Sequence, residues 1–155
     1  MKSLSIIILI CASLCLILGI SSGFSTISEI KSWYVYLNKP SWNPPNWLFG
    51  PAWTFLYLTM GIAVALIWHS KHTKKNRAIT FFIIQFIFNL SWSFVFFNQH
   101  QIGWALVDIS ILLVLILVTI IAFYRINKFA AYLLIPYFLW VSFATCLNAA
   151  IWTLN

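Results

Sequence analysis

The chain has 155 residues, 63% of them hydrophobic and 7% charged, with a formal net charge of +7 and a mean hydropathy of +0.95. A water-soluble domain carries about a quarter of its residues as Asp, Glu, Lys and Arg. This chain cannot build a solvated exterior, so it is read as an all-α membrane protein whose length fits a single bundle.

The first predicted span is Leu4–Ser22. Lys2 before it and Ser21, Ser22 and Gly23 after it imitate a secretion signal, but the apolar run outlasts a signal's core and no A-x-A site follows. It is read as a retained anchor. Gly19 and Gly23 form a small-xxx-small pair at its outer end, and a homodimer through this surface is expected.

Residues 23–50 follow as a connection too long for a compact bundle unless it works as a lid. It contains the aromatic run WYVYL (Trp33–Leu37) and leads into WNPPNWLFGPAW (Trp42–Trp53). Asn43 before Pro44 and Pro45 reads as an N-cap with proline in the first turn, and Pro51 is expected to kink the helix that follows. That second span runs to His69, starting at Pro51 or, where the prolines open the helix, at about residue 45.

The third span is expected over Ala78–Phe97, with Gln85, Asn89, Trp92 and Phe96 forming one polar-aromatic stripe at helical spacing. The fourth, Gly103–Tyr124, opens with Trp104 and holds Asp108 one turn further in. The fifth, Phe129–Trp152, carries Trp140, Ser142 and Asn148, and Pro136 is expected to leave the Tyr132 carbonyl without its helical partner. Each span has about 19 to 24 residues, enough to cross ~30 Å of hydrocarbon as a helix. Spans apolar on every face exclude a β-barrel, whose strands alternate.

Loop charges set the expected orientation. With the N-terminus inside, the inner side carries Lys2, Lys71, Lys74, Lys75, Arg77, Arg125 and Lys128, against Lys31 and Lys39 outside. The positive charge is therefore a topogenic signal, and nucleic acid is not an expected partner. On this topology the tryptophans concentrate toward the outer face, Trp68 alone lying at the inner one. A simple interfacial belt would be two-sided. The one-sided distribution points to an aromatic cavity beneath the lid, with Trp42, Pro44, Pro45, Trp47 and Pro51 forming the lid and helix entrance.

Other chemistries find no support. Cys11, Cys15 and Cys146 read as core thiols, and His69, His72 and His100 are too scattered to hold a metal. One acid within the spans provides no carboxylate pair. Flat rings around a mostly apolar space suit a planar, poorly soluble ligand held by stacking.

Four ordered stretches, KPSWNPPNWLFGPAWTFLYLTMGIA (39–63), FNLSWSFVFF (88–97), GWALVDI (103–109) and LLIPYFLWVSFATCLNAAIWTLN (133–155), resemble the translocator protein or tryptophan-rich sensory protein family. The resemblance implies five transmembrane helices, a homodimer, and a pocket under the first loop that takes porphyrins such as protoporphyrin IX, with no required cofactor. It implies a ligand-binding set of Tyr34, Trp53, Asn89, Trp92, Trp104, Asp108, Trp140, Ala144 and Asn148. Trp53 and Trp140 match the tryptophans tied to porphyrin chemistry. The expected function is a tetrapyrrole sensor or transporter; the alternative is an enzyme that degrades porphyrin with light or oxygen through those two rings. Cholesterol is not an expected ligand, because Ala149 and Thr153 stand where the animal motif needs Tyr and Arg. A bacterial cell membrane is the expected location.

Overall fold

In a computed structural model, residues 3–155 are described, the Ser25 side chain apart, and they form helices and connecting loops only. Lys2, counted above among the inner charges, lies outside the described residues. The helices are α1 (Leu4–Ser32), α2 (Phe49–His69), α3 (Lys75–Ser93), α4 (Ile102–Tyr124), α5 (Lys128–Tyr132) and α6 (Ile135–Leu154). A 3₁₀ turn at Asn46–Leu48 leads into α2, and a π-helical turn at Phe94–Asn98 ends α3. The five resulting apolar helical segments are long enough to cross a membrane.

Four expectations need correcting. First, α1 continues ten residues past Ser22, so the connection to α2 is much shorter than the expected 28-residue lid and contains a 3₁₀ turn at Tyr34–Tyr36. Apolar character falls at Ser21–Gly23, but a helix needs only backbone pairing, and Ser21 satisfies its hydroxyl on the Ile17 carbonyl at 2.7 Å. Second, Pro51 does not kink α2. It is the third residue of that helix, within the first turn, where no amide donor is required. Third, Asn43 caps no helix; its side-chain oxygen accepts from the Tyr34 hydroxyl at 2.8 Å. Fourth, the last span is two helices. Pro136 stands in the first turn of α6 and the break falls at Leu133–Leu134, because a proline has no amide to offer the Tyr132 carbonyl and its ring crowds that carbonyl, so α5 cannot run on unbroken.

α2 forms the centre of the bundle, with Met60, Ala63, Ala65 and Ile67 fully buried, whereas α1 exposes Leu9, Leu14, Ile17 and Phe24. Lipid is as apolar as these side chains, so close packing rather than burial must join the helices. Gly61 shows how: a methyl group there would run into the backbone of Ala12, so the two residues let α1 and α2 approach to backbone contact. Several hydroxyls within the spans are handled locally. Ser110, Thr119, Ser142 and Thr145 each donate to the carbonyl four residues earlier at 2.7–2.8 Å. Ser142, expected to accompany Trp140 as an inward polar group, is thereby occupied by its own helix.

The molecule has two chemically different ends. Asn155 bonds Asn38 through both its side-chain oxygen and its amide at 3.0 Å, which places the end of α6 beside the 33–48 connection. The opposite end holds Lys71, Lys74, Lys75, Arg77, Arg125 and Lys128, on the α2–α3 and α4–α5 connections and adjoining turns.

Candidate functional site

A cavity of about 200 Å³ lies among the lid-side halves of α1, α2 and α3. α1 contributes Gly19, Gly23, Ile27 and Ile30; α2 contributes Phe49, Trp53 and Tyr57; Trp92, Ser93 and Phe97 close it from α3 and its π turn. Helical spacing explains the α2 wall, since Phe49, Trp53 and Tyr57 recur every four residues and stack above one another on one face. Trp53 and Tyr57 lie near parallel, with ring centroids 5.5 Å apart. Gly19 is required by that stack: a methyl group there would collide with the Tyr57 ring. At Gly23 a methyl group would meet nothing, because the cavity is there.

Buried amides fix the rings. The Tyr57 hydroxyl donates to Asn89 Oδ1 at 3.0 Å, and the Trp92 indole N–H donates to Asn148 Oδ1 at 3.0 Å. Asn148 Nδ2 in turn donates to the Ile102 carbonyl at 2.9 Å, so one side chain ties α3 and α4 to α6. One layer deeper, the Tyr137 hydroxyl donates to Gln85 Oε1 at 2.8 Å. The expected stripe on α3 is thus real, but its amides orient aromatic rings instead of lining the cavity.

The lid is pinned rather than loose. Tyr34 is buried against Phe96 and Phe97, with centroids 6.2 and 5.8 Å away, so it backs a cavity wall without lining it. Burial pushes its hydroxyl up to about 12. Lys39 threads under the loop and donates to the carbonyls of Tyr34 and Leu37 at 2.8 and 2.7 Å, with its ammonium 4.9 Å from the Tyr34 ring. Partial burial lowers the Lys39 ammonium below its ordinary value. A second clasp joins the α3–α4 connection: Trp33 stacks on His100 at 4.2 Å, and His100 Nε2 meets Glu29 Oε2 at 3.1 Å. His100 adopts a φ of 55°, a left-handed conformation in which His, Asn and Asp are enriched.

The expected site residues therefore separate into groups. Trp53 and Trp92 line the cavity, and Asn89 and Asn148 hold its rings. Trp140 does not share the cavity with Trp53. It meets Phe49 edge-on at 6.2 Å and Phe143 at 5.9 Å, and Phe143 meets Trp42 at 5.7 Å. Phe49 thus stands between the two tryptophans. Ala144 packs half-buried against the core next to this aromatic string. Trp104 is 69% exposed on the outer surface of α4 and joins no wall. Asp108 accepts from the Ser91 hydroxyl at 2.8 Å across the α3–α4 contact, away from the cavity. Trp47 and Pro51 are exposed at the start of α2, and Pro44 and Pro45 set the extended backbone before it. The sequence reading missed Phe49, Tyr57 and Phe97 as lining residues and gave Gly19 and Gly23 to a dimer contact; the four-residue spacing back from Trp53 and on to Tyr57 was the available signal. Among the described residues no three His, Cys, Asp or Glu side chains come together.

Comparison with known proteins gives a consistent result. The model of the TspO/MBR family matches residues 11–153. The chain is 43% identical to the tryptophan-rich protein TspO of Chlorobaculum tepidum over 94% of each chain. It is 38% identical to the human translocator protein, over 79% of this chain and 75% of that one. It is 36% identical to the tryptophan-rich sensory protein of Cereibacter sphaeroides, over 88% and 85%. With nearly every residue inside the matched region and five membrane-crossing segments, this integral multi-pass membrane protein belongs to the TspO/MBR family.

Proposed function

We propose that the protein is a membrane sensor or transporter that takes planar hydrophobic tetrapyrroles, protoporphyrin IX among them, into the cavity between α1, α2 and α3. One observation carries the reading: five aromatic rings, Phe49, Trp53, Tyr57, Trp92 and Phe97, line a single space with few polar groups. Aromatic faces hold conjugated rings by offset stacking and edge contacts worth ~0.5–1.5 kcal/mol each beyond burial. Pockets that enclose a drug-sized ligand run to ~300–1,000 Å³. At about 200 Å³ this one admits an edge of a macrocycle and leaves the remainder outside it. The names of the sensory and translocator relatives agree with such a role. The same reading includes a homodimer in a bacterial cell membrane, with the basic end cytoplasmic.

The second reading, porphyrin degradation, is favoured by the stacked Trp53–Tyr57 pair, which sets two oxidisable rings on the cavity wall. One experiment separates the two. Purified protein is titrated with protoporphyrin IX in darkness, following tryptophan fluorescence, and the complex is then illuminated in air while porphyrin absorbance is recorded. Saturable quenching with stable absorbance supports the binder. Protein-dependent loss of absorbance that Trp53→Phe abolishes supports the enzyme. Absence of saturable quenching overturns both.

A further inference from the structure

A second groove, about 240 Å³ in volume, opens at the opposite end of the molecule between the start of α3 and the end of α4. Lys74, Arg77 and Arg125 stand at its mouth, and Phe81, Ile121 and Ala122 lie along it. The three cations are exposed, and among the described residues no acidic side chain is paired with them. Its two acids are Glu29 and Asp108. Glu29 is held by His100 at the lid end, and Asp108 by Ser91. Asp108 precedes Arg125 by seventeen positions on or adjoining one helix, about 25 Å away. The neighbouring cations are already engaged: Lys75 donates to the carbonyls of Trp68 and Ser70 at 3.1 Å, and Lys128 lies 5.5 Å from the Tyr124 ring centroid. Arg77 rests 5.6 Å from the Phe81 ring, at the point where the groove turns from charged to apolar.

That change of character identifies the ligand class. A water-soluble anion would use only the mouth. The apolar part continues inward from Arg125 to Val118, about 10 Å along α4 and into the hydrocarbon depth. Guanidinium groups match a phosphodiester in planar, two-pronged geometry, and basic pockets between transmembrane helices take anionic lipid headgroups. We propose that this groove is a binding site for an anionic phospholipid, its phosphodiester held by Arg77 and Arg125 and an acyl chain laid along Phe81 and Ala122. The site is independent of the tetrapyrrole cavity, which lies at the other end of α3.

The test uses the full chain purified in detergent, titrated with phosphatidylglycerol or with phosphatidylcholine of the same chains, and followed by native mass spectrometry. The wild type is expected to retain one phosphatidylglycerol at several-fold lower concentration than phosphatidylcholine. Arg77→Gln and Arg125→Gln should each weaken retention about fivefold, and together about 25-fold. Lys31→Gln, at the lid end, should leave it unchanged. Ala122→Phe, which fills the apolar part without altering charge, should also weaken retention, and millimolar inorganic phosphate should not displace the lipid. Arg77→Lys with Arg125→Lys should restore part of the loss, supplying the charge without the two-pronged geometry, which separates charge recognition from misfolding. Equal retention of both lipids, or retention untouched by the paired Gln variants, overturns the site. Loss with the Gln variants but none with Ala122→Phe overturns the groove in favour of diffuse surface attraction.

Discussion

Two glycines four residues apart on α1 have opposite roles, and the difference can be tested. Gly19 makes room for the Tyr57 ring, whereas Gly23 faces the open cavity. Gly23→Leu should therefore leave thermal stability intact or slightly higher, since glycine is the poorer helix former by up to about 1 kcal/mol, while tetrapyrrole binding falls because the side chain fills the site. Gly19→Leu should lower stability by about 1–3 kcal/mol through overpacking against Tyr57, seen as an earlier melt by circular dichroism. Equal stability of the two variants would remove the distinction. Trp53→Phe should weaken porphyrin binding by ~0.5–1.5 kcal/mol through lost stacking area, with Trp140→Phe smaller and Trp68→Phe silent in fluorescence titrations. Trp140 touches the cavity lining at Phe49 and does not line the cavity itself, so an effect as large as that of Trp53 would show that the two rings share the ligand after all. The lid residue Tyr34 sets a pH limit. Its hydroxyl is held near 12 by burial, above the usual value near 10. The protonated form is therefore preferred in the folded lid: its stabilisation is complete below about pH 10 and is lost as pH rises toward 12. A phenolate difference titration of wild type against Tyr34→Phe should show one tyrosine ionising late; ordinary titration of that tyrosine would mean the lid is open.

At the scale of elements, the number and order of spans were legible because mean hydropathy over about twenty residues has no other solution in lipid. Helix ends were not. α1 runs through Ser21–Gly23 to Ser32, since a polar stretch interrupts hydropathy without interrupting backbone pairing. The prolines were legible as punctuation but not as to effect: both stand in first turns, Pro51 without bending α2 and Pro136 at the start of α6, just after the break from α5. The site was half legible. Polar residues in apolar runs marked Asn89 and Asn148 correctly as buried, yet whether an amide faces a ligand or holds a neighbouring ring depends on the rotation of α3 and α6, which composition does not encode. Trp104 shows the same limit, for an indole at a helix start serves the outer surface as readily as a cavity. The bond from Trp92 to Asn148 is the element-level joint. Asn148→Leu leaves the indole N–H and the Ile102 carbonyl without their partner, and should cost about 0.6–2 kcal/mol while loosening Trp92. Time-resolved anisotropy in a background lacking the other lid-end tryptophans should report greater Trp92 mobility; unchanged mobility would mean that packing against Phe96 alone suffices.

Across the whole molecule, most of the cations gather at one end and the aromatic cavity lies at the other. The basic end carries six cations between Lys71 and Lys128, and the lid end carries the clasped loop and the aromatic cavity. The positive-inside rule then predicts that reporter fusions after Lys75 read cytoplasmic and fusions after Asn155 read external. The reverse pattern at both sites would turn the cavity toward the cytoplasm. The connectivity of the cavity has a consequence in time as well as in space. Every side chain that lines it falls between Gly19 and Phe97, so a chain still on the ribosome, with three helices inserted, already carries the entire lining. Asn148 has not yet been made at that stage, and the Trp92 indole lacks its partner on α6. The lining of the cavity is therefore translated well before Asn148, the residue that anchors the Trp92 ring.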